Sequence, residues 1–102
     1  MKVFNVSRHR NLLLADSYLA TARAIAKAHP GWIDDRSSNW AYSEHRRLLR
    51  AAYDFLVAAE LGLLAGRVRW LAQASEMNVT YAWSRFDRLN AGTTSVEEGG
   101  RA

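Results

Sequence analysis

The segment "SEHRRLLR" places Arg46 and Arg50 four residues apart, on one face of any helix it forms, with Arg47 beside them. Guanidinium groups in such a row take phosphate or carboxylate oxygens through paired N–H donors. The cluster is therefore a candidate contact for nucleic-acid phosphates or for an acidic protein surface, although Glu44 and Asp54 lie close enough to offset it. Other groups able to do chemistry are scattered. His9, His29 and His45 show no i,i+4 pairing, and Asp34 with Asp35 forms no calcium-loop pattern, so no metal site is expected. There is no Gly-rich phosphate loop, serine elbow or cysteine. The expectation is a protein without cofactor or enzymatic activity that works by binding.

The elements that position these groups read as helices. Leu12, Ala15, Leu19, Ala22 and Ala26 recur at helical spacing and predict a helix over about 8–28. It should stop at "AHPGW", because Pro30 disfavours the α conformation of His29, and "IDDRSSN" follows as a polar connection rich in N-cap candidates. Leu49, Ala52, Leu56, Ala59 and Leu63 predict a second helix over about 43–65, with Trp40 and Tyr42 at an elbow before it and Gly66 in the left-handed position after it. A start at Asn39 would give that helix about 40 Å, against roughly 34 Å for a globule of this size. A third helix is expected over about 67–90, closed by Gly92.

The remainder, residues 92–102, is poor in apolar side chains and reads as a mobile tail. Fold class is thus all-α, a compact bundle of three main helices in a single domain over 1–91. The net charge of +4 and pI near 10 permit nucleic-acid binding, and the cations are mostly arginine, twelve against two lysines. That bias is also what a GC-rich bacterial genome writes. With no long apolar run, no cleavable leader and no cysteine, the expected setting is cytoplasmic, without a membrane or a small-molecule substrate.

Within the third helix, "QASEMNVTYAWSRF" raises a conflict. Drawn as one continuous helix, Val68, Ala72, Val79, Ala82, Trp83 and Phe86 form a core stripe, while Trp70, Ala74, Met77, Tyr81, Ser84 and Arg88 fall on the opposite side. Such a helix is sandwiched, broken, or left with a patch that meets something. Trp, Tyr, Met and Arg are the types that anchor interfaces, so Trp70, Met77, Tyr81, Arg85 and Arg88 are the candidate partner-binding residues.

Two local resemblances bear on the same region. "LAQASEMNVTYAWSRF" resembles the helix-turn-helix of AraC- and TetR-type regulators, with Asn78 as N-cap of the recognition helix in one register; Glu76 stands there where the family has glycine. The resemblance implies a DNA-binding regulator in which Tyr81, Ser84, Arg85 and Arg88 meet the groove while Arg46, Arg47 and Arg50 touch phosphates. "RAIAKAH" spaces Arg23 and His29 as in the signature of HEPN-type ribonucleases, implying an arginine on phosphate charge and a histidine in acid-base chemistry. Ala24 departs from that pattern, which has a polar residue after the arginine.

The leading expectation is a small bacterial, phage or plasmid inhibitor or adaptor, monomeric or homodimeric, that docks its arginine-and-aromatic face on a larger protein. Helix-turn-helix DNA binding is the alternative, and a ribonuclease the remote one. A break at Ser75 to Asn78 favours DNA; a straight helix with Trp70 exposed favours a protein.

Overall fold

The computed structural model describes the backbone of residues 2–31 and 39–101, with side chains at 7–31 and 39–91. Four helices follow one another: α1 (Lys2–Ala28), α2 (Asn39–Ala58), α3 (Gly62–Ser75) and α4 (Val79–Arg101). No strand occurs among the described residues. Packing follows chain order, α1 on α2, α2 on α3, α3 on α4, and α4 returns to α1. The directions are set by a few ties. Arg8 Nε–H donates to the Ala59 carbonyl at 2.8 Å, and His29 meets Trp40 edge-on at 4.9 Å, so α1 and α2 run antiparallel. The Tyr42 hydroxyl donates to Glu76 Oε1 at 3.1 Å, which sets α2 antiparallel to α3. The bundle measures 48 × 29 × 18 Å. Among the described residues no helix is long and apolar enough to cross a membrane.

The all-helical expectation holds, with four helices in place of three. Nothing in the leader breaks a helix, having neither proline nor glycine, so α1 begins at Lys2 instead of near residue 8. It stops at Ala28, before the His29–Pro30 pair. The second helix starts at Asn39, four residues before the expected Ser43, and Trp40 lies in its first turn instead of at an elbow. The length argument fails because this helix also ends early, at Ala58.

The early end comes from Glu60, whose φ of 62° is left-handed. Leu61 N–H reaches back to the Leu56 carbonyl at 2.9 Å, and Glu60 N–H to the Val57 carbonyl at 3.0 Å. That is a Schellman ending, and the partly buried Leu61 supplies its apolar contact. Gly66, expected in the left-handed position, lies inside α3 instead, and no described glycine has positive φ. Leu63 thereby leaves the second helix's stripe and is 68% exposed. A side chain in the left-handed region costs on the order of 1 kcal/mol. Glu60→Gly should therefore raise stability by up to about 1 kcal/mol in urea unfolding; a loss would show that the Glu60 side chain holds the turn.

α4 passes through Gly92, which the sequence marked as a stop, and reaches Arg101. An interior glycine costs about 1 kcal/mol relative to alanine without forbidding helix. The expected tail lies outside the described side chains, and the "IDDRSS" connection, residues 33–38, outside the described residues. The core joins Ala15, Leu19, Ala22 and Ala26 of α1 to Leu48, Leu49, Ala52 and Leu56 of α2, Val68 and Leu71 of α3, and Val79, Ala82, Trp83 and Phe86 of α4. Alanines on α1 let it lie close, so larger side chains from α2 and α4 fill the centre.

Candidate functional site

The two stripes of the expected third helix are reconciled by a break at residues 76–78. Buried Ser75 bonds its own helix, donating Oγ–H to the Leu71 carbonyl at 2.6 Å, a local bond that weakens helix continuation. Met77 and Asn78 N–H groups both turn to the Ala74 carbonyl, at 3.0 and 3.1 Å. Asn78 then starts α4, its Oδ1 accepting from Tyr81 N–H at 2.9 Å. Val79, Ala82, Trp83 and Phe86 hold the new helix to the core while Thr80, Tyr81, Ser84, Arg85 and Arg88 remain exposed.

After the break the chain folds back. Arg67 Nη1 donates to Asn90 Oδ1 at 3.2 Å and lies 3.4 Å from the Leu89 carbonyl. Along the helices Arg67 is about 12 Å from the turn and Asn90 about 17 Å; a right-angled pair would part them by about 20 Å, beyond an arginine's reach. α3 and α4 therefore form an antiparallel hairpin. Glu76 keeps right-handed angles, φ −66° and ψ −27°.

The hairpin gathers the partner-binding candidates on its outer side. Trp70 is half-buried and shares a groove of about 350 Å³ with Gly62, Leu63, Gly66, Arg85 and Leu89. Met77 stands at the turn, 83% exposed, and Tyr81 is 53% exposed one turn beyond it. Arg85 and Arg88 continue the face of Tyr81 along α4, and neither forms an ion pair with a described residue. Leu63 and Leu89, which sequence reasoning missed, join the face because α2 ended early and α4 ran antiparallel to α3.

Arg46, Arg47 and Arg50 lie elsewhere, in a cleft of about 740 Å³ between α2 and α3. Arg69, Gln73, Tyr42 and Tyr53 line it with them. Arg47 is held by Glu44. Arg69 had no sequence signal of its own, since only the packing of α3 on α2 brings it to the cluster.

Inside the bundle, three helices meet at one tryptophan. Trp83 Nε1–H donates to His45 Nε2 at 2.9 Å, both side chains buried. The Arg23 guanidinium lies 4.9 Å above the Trp83 ring and pairs with Asp87. Burial pushes the His45 pKa down to about 4. The imidazole is thus neutral at pH 7, as it must be to accept the indole proton. Of the Arg23 and His29 pair, the first is engaged by Trp83 and Asp87 and the second packs against Trp40.

Compared with family models, with curated proteins and with solved structures, the chain matches none.

Proposed function

We propose that this protein is a non-enzymatic binding module, an inhibitor or adaptor of bacterial, phage or plasmid type, whose α3–α4 face receives an amphipathic helix of a larger protein. The carrying observation is the collection of Leu63, Trp70, Met77, Tyr81 and Leu89 along one side of a single hairpin. Gly62 and Gly66 leave the α3 backbone bare within that groove, with open space where a Cβ would stand, so a helix can approach closely. Arg85 and Arg88 at the edge select for carboxylates beside the partner's apolar stripe. Trp70 serves as groove floor, and Met77 and Tyr81 as projecting anchors.

Photo-crosslinking from position 77 in the source cells tests this. One protein species should be trapped, and Tyr81→Ala should weaken the complex by about 2 kcal/mol or more with an unchanged melting temperature. A crosslink yield indifferent to Tyr81→Ala, or equal yield from exposed Thr21 on α1, would remove the proposal.

Duplex-DNA binding through Thr80, Tyr81, Ser84, Arg85 and Arg88 is the second reading. The interruption at 76–78 favours it.

A further inference from the structure

The cleft between α2 and α3 is separate from the hairpin face. Tyr42, Arg46, Arg50 and Tyr53 follow one another at steps of four, four and three along α2, which makes one row of about 16 Å. Arg69 and Gln73 face this row from α3. Arg46, Arg50 and Arg69 make no ion pair with any described residue, and Asp54 is the one carboxylate in the lining. Three guanidinium groups turned into one cleft repel each other, and a ligand with repeated negative charge relieves that repulsion.

The tyrosines narrow the ligand further. Both are half-buried, so their rings are held in place at the two ends of the row. A ligand suited to this lining carries anions at intervals and flat apolar groups between them. A nucleic-acid strand with unpaired bases has that pattern, whereas a duplex keeps its base faces stacked inside and gives tyrosine nothing to stack on.

We infer that the α2–α3 cleft binds a single strand of DNA or RNA, with phosphodiesters on Arg46, Arg50 and Arg69 and bases against Tyr42 and Tyr53. The strand spans a few nucleotides and is held without base-edge readout, so binding is tolerant of sequence. None of this depends on the α3–α4 face.

The test is fluorescence anisotropy of the full chain with labelled dT12 at 50 and 200 mM salt. Three phosphate contacts on a single strand should weaken binding roughly 20-fold between those concentrations. A combined Arg46→Gln, Arg50→Gln and Arg69→Gln variant should lose at least about tenfold in affinity at low salt, together with most of the salt dependence. Tyr53→Leu, which keeps an apolar group against the core, should lose at least about fivefold while retaining the salt slope. Arg10→Gln with Lys27→Gln, exposed cations of α1, should bind as the wild type does. Any of four results overturns the inference: no binding at 50 mM, an unaffected arginine variant, an abasic strand bound as well as dT12, or a 12-base-pair duplex bound more tightly. Displacement of the strand by equimolar ATP overturns it too, by making a free nucleotide the occupant.

Discussion

Trp83→Ala is expected to leave a largely unfolded chain at 25 °C, whereas Trp83→Phe is expected to fold with a loss of about 1–3 kcal/mol. The alanine variant opens a cavity at the meeting point of α1, α2 and α4, and truncation of a buried aromatic to alanine costs about 3–5 kcal/mol. It also leaves His45 Nε2 without its donor and removes the ring under Arg23. Domains have about 5–15 kcal/mol in total, and a chain of 102 residues whose α1 stripe is largely alanine sits toward the low end. Phenylalanine keeps most of the volume and a face for Arg23, so its cost is that of a buried nitrogen left unpaired. Urea unfolding followed by far-UV circular dichroism distinguishes the two. A cooperative Trp83→Ala transition at nearly wild-type midpoint would show that this junction is peripheral to stability.

Acid should weaken the fold well before the carboxylates titrate. His45 has a pKa near 4 in the folded chain and about 6.5 when unfolded. Below pH 6.5 the unfolded chain takes up a proton that the folded chain refuses, so stability falls as pH drops and flattens again near pH 4. The shift corresponds to a loss on the order of 2–3 kcal/mol across that window. Trp83 offers the imidazole a donor, not an acceptor, and Arg23 over the face of the same indole is a cation, so neither favours a second proton on His45. His45→Gln retains an acceptor for the indole and should flatten the curve between pH 6.5 and 4.5 in urea titrations. Parallel curves for the two proteins would assign the acid sensitivity to other groups.

Much of the bundle is readable in the sequence because it rests on periodicity and on one proline. The stripe of α1 follows from spacing and its end from Pro30, and Leu49, Ala52, Leu56 and Ala59 are buried as their pattern requires. The break at 76–78 was present as a contradiction, two opposed apolar stripes, and Asn78 was the local clue to where it fell. That the chain would fold back there was not readable. No glycine or proline marks the turn, and its direction is set by long-range packing of Val79, Ala82, Trp83 and Phe86 on the core. The end of α2 was misplaced for a different reason. Gly62 and Gly66 are the residues that a left-handed turn favours, yet tertiary packing of Leu61 on the core assigned it to Glu60.

The five partner-binding candidates stood within a single stretch of sequence, and of these Trp70 and Arg85 line one groove. The arginine cleft could be only half read: Arg46 and Arg50 share a face by their spacing, but Tyr42 was assigned to an elbow, and Arg69 and Gln73 enter from another helix.

Each helix in this bundle packs chiefly on the helix before it, and the return of α4 to α1 is the one closure between the ends of the described chain. Chains built from near-neighbour contacts fold fast, in microseconds to milliseconds, because little loop entropy is lost before contacts form. The α1–α2, α2–α3 and α3–α4 hairpins can each begin locally, whereas the junction of Arg23, His45, Trp83 and Asp87 must wait until both ends arrive. Interactions made after the transition state are felt in the rate of opening. The tryptophan junction is therefore the clasp that sets how long the folded molecule lasts, while the hairpins set how quickly it forms.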